Sequence, residues 1–174
     1  MLAILWKSYF SICCFKKGPQ DLPVSRELLA LSLTGYGFSS FLLALSTQNV
    51  DIAVLTGLID AALLAGISQI VMACWRLSER WAQTAAALSG TGTIFSILAL
   101  PFSYLLANSS NTDPWILYLF LFVISLLVWN IAVMAHIMRH ALSSSFALGV
   151  LVALFYVWVI TATITSLFPP QNIS

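Results

Sequence analysis

Five long apolar runs alternate with short polar stretches along the chain. They cover about 28–45 (LLALSLTGYGFSSFLLAL), 52–74, 85–106, 115–136 and 146–167. Each approaches the roughly 20 residues an α-helix needs to cross about 30 Å of hydrocarbon. No strand-like alternation is sustained within them, so the pattern predicts helices rather than a barrel. The links are short and polar: Ser46–Asn49, Trp75–Arg80, Asn108–Pro114 and the basic stretch Met138–His140. Pro114 suits the first turn of the helix after it, and Pro169 with Pro170 is expected to stop the last one. The predicted fold is all-α, a polytopic membrane helix bundle with five transmembrane helices within 25–168, followed by a tail at 169–174.

Residues 1–24 stand apart as an amphipathic segment and linker. Lys7 interrupts the first apolar run, and no small-residue cleavage site follows, which argues against a signal peptide. On a helical wheel Lys7, Ser8 and Ser11 share one face, and Leu2, Leu5, Trp6, Tyr9, Phe10 and Cys13 cover the other. This suits an N-terminal interfacial helix, with Lys7, Lys16 and Lys17 as membrane-surface basic residues contacting anionic headgroups. The alternative is a hydrophobic terminus packed against the first span.

Composition agrees with a bilayer setting. The 174 residues are 60% hydrophobic and only 7% charged, too few charges to coat a soluble domain of this size. A net charge of +1 without a basic cluster argues against a nucleic-acid partner. The length leaves room for five or six crossings and no sizeable soluble domain. Placement of the charges orients the bundle. With five spans, Lys7, Lys16, Lys17, Arg26, Arg76, Arg80 and Arg139 all fall on one side. The positive-inside rule then makes the N-terminus cytoplasmic and the C-terminus extracytoplasmic. A miscounted helix would scatter these cations over both sides.

Asp60 is the most informative candidate. It lies about nine residues into the second span, roughly 13 Å below the outer surface at 1.5 Å per residue. A carboxylate at that depth costs about 2.5–3.5 kcal/mol on insertion scales, so it should face the bundle or a water-filled cavity. Counting to the same depth brings Tyr36 or Ser39, Ser96, Ser125 and Thr161 within reach. Two readings follow: a proton or cation site, or a neutral Asp hydrogen-bonded to a hydroxyl of a neighbouring helix. The lack of a second acid or base at that depth favours the latter. Asn130 is expected to bond across to another helix, and Ser68 and Gln69 to act as packing polars. His136, Arg139 and His140 cluster at the cytoplasmic end, but neither they nor the three cysteines show a metal-site spacing.

Cys13, Cys14 and Cys74 all fall on the cytoplasmic, reducing side, so disulfides are not expected. Cys13 or Cys14 is open to palmitoylation in a eukaryotic setting. Asn108-Ser109-Ser110 and Asn172-Ile173-Ser174 match the glycosylation pattern on the outer side. Small residues four apart (Gly57 and Ala61, Ala62 and Gly66, Ala86 and Gly90) permit close helix approach, within the bundle or between copies. No hydrolase, zinc-protease or phosphate-loop signature occurs, so neither an enzymatic activity nor a cofactor is expected.

Gly18-Pro19-Gln20-Asp21-Leu22-Pro23 precedes the first span, and Pro101 follows Leu98-Ala99-Leu100 in the third. A further run from Trp129 to Ala147 holds the basic inner stretch and Ala141-Leu142-Ser143. With the five-span layout, these segments resemble the Yip1-type integral membrane proteins, short bacterial members included. The eukaryotic family motif Asp-Leu-Tyr-Gly-Pro is not reproduced. The resemblance implies a non-enzymatic role in membrane organisation or trafficking. In that role the chain acts as a scaffold, assembly factor or accessory subunit, through association with other membrane proteins or a second copy. For a short member the setting implied is a bacterial inner membrane rather than a eukaryotic endomembrane. The competing expectation is a small dimeric transporter or channel that uses Asp60.

Overall fold

The computed structural model describes residues 2–110 and 114–168. The described residues form six α-helices: α1 (Leu2–Cys13), α2 (Arg26–Ala44), α3 (Val50–Cys74), α4 (Trp81–Asn108), α5 (Ile116–Leu142) and α6 (Phe146–Leu167). Single 3-10 turns at Pro19–Asp21 and Ser78–Arg80 precede α2 and α4. The five helices from α2 to α6 are long and apolar enough to cross a membrane, which supports a multi-pass integral membrane protein. The expected stop at Pro169 and Pro170, the tail 169–174 and the Asn172 pattern lie outside the described residues.

Local chemistry sets the helix ends. Ser25 and Ser145 cap α2 and α6, each side chain accepting the backbone N–H three residues on. α1, α3 and α5 each close on a left-handed residue that is not glycine: Phe15, Arg76 and Ser143. In each, the next amide reaches back to a carbonyl five residues earlier: Lys16 to Ser11, Leu77 to Met72, and Ser144 to Arg139. α5 thus runs to Leu142, six residues beyond the apolar stretch. Arg139 and His140 in its last turn complement the helix dipole. Trp115 occupies the N-cap of α5, so Pro114 stands just outside the helix rather than in its first turn.

α4 is the axis of the bundle. All residues from Thr84 to Gly92 are buried, and most are small (TAAALSGTG). A thin rod of this kind lets α1, α2, α3 and α5 pack round it at once. Its hydroxyls need no partners from other helices, because Ser89, Thr91 and Thr93 donate to carbonyls of the preceding turn. Two glycines make room for rings: a Cβ on Gly90 would meet Tyr9, and one on Gly92 would meet Tyr36. α2 and α4 share the most extensive helix contact. α6 leans mainly on α5 and meets α3 only weakly.

The packing is uneven along the bundle. At the end where α2, α4 and α6 begin, Val133–Met138, Ala141 and Leu142 of α5 are buried along with the α4 rod. Arg26, Arg76, Arg80 and Arg139 mark that end. At the other end no residue is buried from Ser96 to Asn108 of α4, from Leu117 to Ser125 of α5, or from Val157 to Leu167 of α6. The change in α4 begins beside Ile97, whose carbonyl loses its helical donor to Pro101.

α1 is present, and it packs on the bundle instead of presenting its whole apolar face outward. Tyr9, Ile12 and Cys13 are buried against α4 and α5, while Trp6, Lys7 and Phe10 are exposed. The contact is with α4 and α5 more than with the first span. Leu22, beyond the 3-10 turn, is buried as well.

Candidate functional site

Asp60 sits ten residues into α3, about 15 Å from its start. Its carboxylate gathers three hydroxyls from two other helices. Tyr36 of α2 donates to Oδ1 at 2.9 Å and Tyr156 of α6 donates to the same oxygen at 2.8 Å. Ser40 of α2 donates to Oδ2 at 2.7 Å. The two phenolic oxygens are themselves 3.1 Å apart. Tyr36, Ser40 and Tyr156 are all buried.

The helices explain the convergence. Tyr36 and Ser40 are four residues apart and so share a face of α2. The bare surface of Gly92 lets the Tyr36 ring approach α4 closely. Gly37 and Gly57 bring α2 and α3 into backbone contact one turn from Asp60, where a Cβ on Gly57 would meet the Gly37 carbonyl oxygen. Tyr156 supplies the hydrogen bond across the weak α3–α6 seam.

The cluster forms the floor of a cleft of about 490 Å³. The cleft runs between α2, α3 and α4 on one side and α5 and α6 on the other, and it reaches the α2–α3 connection at Ser46, Thr47 and Gln48. Thr56 lies below this mouth and donates to Gln48 Oε1 at 3.0 Å. Ser96, Ser103, Asn130 and Thr161 add hydroxyl and amide groups to walls that are otherwise apolar. Among the described residues no Lys, Arg or His lines it. A concave, mostly apolar pocket with a few convergent polar groups is the usual form of a small-molecule site.

The sequence candidates divide between two places. Tyr36 and Asp60 meet on the floor, and Ser96 and Thr161 line the walls. Ser39 is one position off: it is buried, but its hydroxyl donates to the Tyr36 carbonyl, and Ser40 takes the expected role. Ser125 is exposed and bonds within its own helix. Asn130 faces the cleft and makes no hydrogen bond to another described residue, contrary to the expected bond across helices. Ser68 accepts from Trp81 Nε1, as a packing polar should, whereas Gln69 is exposed.

His136 belongs elsewhere. Its Nε2 lies 3.1 Å from the Lys17 carbonyl oxygen, and the rings of Phe15 and His140 both meet its ring edge-on. Trp129 Nε1 donates to the Cys13 carbonyl and Gln83 Nε2 to the Leu22 carbonyl. These three side chains tie residues 13–22 to the bundle. Lys7, Lys16 and Lys17 are exposed. Burial, with the adjacent Cys14, pushes the Cys13 thiol up to about 12. That leaves Cys14 and Cys74 as the accessible thiols. Among the described residues no three of His, Cys, Asp and Glu gather where they could hold a metal ion.

Besides Ser40, Tyr156 is the site residue that depth counting missed. A tyrosine midway along an apolar span is the signal that was present, since membrane tyrosines favour the interfaces and a buried phenol needs a partner. No family model matches the chain, and no curated protein or solved structure matches it either.

Proposed function

We propose that this chain is a small multi-pass membrane protein that admits a small polar solute from the cation-free end of its bundle. The solute binds at Asp60 as a step in crossing the membrane. One observation carries the reading: the acid deepest within a span is also the floor of the cleft. A carboxylate placed only for packing needs no path to the end of the bundle. The test compares the parent protein with Asp60→Asn in detergent, against a panel of small amines, amino acids, polyols and carboxylates. At least one solute should raise the Tm of the parent and leave the variant unmoved. A panel that shifts neither protein, or shifts both equally, removes the reading.

Helix-mediated association, as scaffold or accessory subunit, is the second reading, and the Yip1-type resemblance implies it. What favours it is α3. Gly57 and Ala61 are used against α2, and Gly90 against Tyr9, but Ala62 is exposed and a Cβ on Gly66 would meet nothing within 4 Å. Gly66→Leu should then abolish a cross-linked dimer or a co-purifying partner. An unchanged assembly state in that variant counts against this reading.

A further inference from the structure

We propose that the Asp60 cleft takes a monovalent cation, and takes it in exchange for a proton carried by Asp60. The inference rests on the reading of the cleft as a solute site and adds the charge of the solute and what it displaces.

Proton counting on the floor is the starting point. Tyr36 Oη, Tyr156 Oη and Asp60 Oδ1 form a triangle with sides of 2.9, 2.8 and 3.1 Å, each within hydrogen-bonding distance. Two phenols bring two protons for three sides. With the carboxylate ionised, both phenols donate to Oδ1, and the two phenolic oxygens face each other with no proton between them. A proton on Oδ1 completes the ring: Asp60 donates to Tyr36, Tyr36 to Tyr156, and Tyr156 back to Oδ1. Ser40 occupies Oδ2 in either state. The closed cluster therefore holds one proton that the hydroxyls alone do not supply.

Loss of that proton leaves a full negative charge deep in the bundle, which needs a counter-charge close by. Among the described residues the cleft lining offers none. α2 presents Tyr36 and Ser40 to Asp60, α6 presents Tyr156, and α4 and α5 contribute Ser96 and Asn130 to the cleft. No other titratable group of these helices faces it among the described residues. The counter-charge has to enter through the cleft, where hydroxyl and amide oxygens and two phenol rings suit a cation. One carboxylate balances one positive charge, so the exchange is one monovalent cation for one proton. The neutral Asp60 carboxyl gives its proton to cleft water, and the cation pairs with the carboxylate. An alkali ion and a small organic ammonium ion share this chemistry.

The test reads protons. Purified protein in a weakly buffered detergent solution with a pH indicator receives NaCl, KCl, ethylammonium chloride or tetramethylammonium chloride. At least one salt should release about one proton per chain from the parent, and the responding salt tells alkali ion from ammonium. Asp60→Asn should release less than about a tenth as much while eluting as the same species. Tyr156→Phe keeps the carboxylate and removes one phenol proton, so release should persist with a displaced pH profile. In the parent, cation affinity should fall about tenfold for each unit of pH lowered through the range where the proton is held. Release by none of the four salts, or equal release from Asp60→Asn, overturns the exchange. If a neutral solute still raises the Tm of the parent and no salt releases a proton, the exchange fails and the solute site stands. If neither occurs, both fail.

Discussion

The two ends of this bundle are built from different residues. The cation-bearing end is made of small side chains on α4 and interlocked aliphatics on α5, with Ala85, Ala87, Ala135 and Ile137 fully buried. The cation-free end carries larger side chains that stay exposed, such as Tyr118, Leu117 and Val128 of α5. In a bilayer these would lie against lipid, which solvates them as well as protein does. Small residues let helices touch, and large ones in lipid give helices no reason to. Stability is therefore concentrated at one end, and the cleft with its polar floor opens at the other. The Asp60 cluster thus lies toward the end where packing has been relaxed, as the proposed entry of a solute requires.

The largest expected contrast comes from truncation at each end. Ile137→Ala removes a fully buried side chain and should cost about 2–5 kcal/mol. Val128→Ala on the open half should change stability by less than about 0.5 kcal/mol. Thermal unfolding of both in detergent checks this, and equal losses would erase the distinction between the ends. Next comes overpacking. A Cβ at position 149 meets the Ala135 carbonyl, so Gly149→Val should force α5 and α6 apart and lose about 1–3 kcal/mol.

The floor of the cleft should give a smaller effect. Asp60→Ala strands three hydroxyls and should cost about 1–2 kcal/mol, while Asp60→Asn keeps an acceptor and should cost less. If Asp60→Ala unfolds the bundle outright, the carboxylate is chiefly the staple of the α3–α6 seam.

The smallest effects are chemical and leave the fold intact. In a chain lacking its own cysteines, Ser103→Cys should react with a membrane-impermeant maleimide from the cation-free side. Ser89→Cys, at a fully buried position, should not. In the parent, Cys74 should be alkylated and Cys13 spared. With its thiol pushed up to about 12, Cys13 is ionised only in strong alkali, so its labelling should rise with pH well above the ordinary thiol range. Equal labelling of Cys13 and Cys74 at neutral pH would mean that α1 leaves the bundle readily.

Much of the architecture was legible because it depends on local properties. Run length and hydropathy mark α2 to α6, and the seven cations agree with the same count. Asp60 stood out because an acid in an apolar run is costly wherever it points, and Tyr36 was reached by depth alone. Ser40 and Tyr156 were not, for a specific reason. The spans are largely apolar and their few hydroxyls give little contrast between faces, so the pattern alone does not fix the rotation of one helix against another. Depth can be counted along a helix, but azimuth is set by contacts such as Gly37 with Gly57 and Gly92 with Tyr36. One residue of rotation separates Ser39 from Ser40.

α1 shows the same limit in another form. Its sequence offers one apolar face, and either lipid or protein can cover it. Tyr9 settles between Gly90 and the Ser32 hydroxyl, which it meets at 2.6 Å, while Trp6 and Phe10 stay outside. The sequence by itself determined how many helices are long and apolar enough to cross a bilayer and at which end of them the cations lie, because hydropathy and length act residue by residue. The tertiary structure alone decided that α1 docks, that one end stays open and that Tyr156 meets Asp60 across 96 residues of chain. Those outcomes depend on which helix faces meet, and in spans that are largely apolar only packing selects the face.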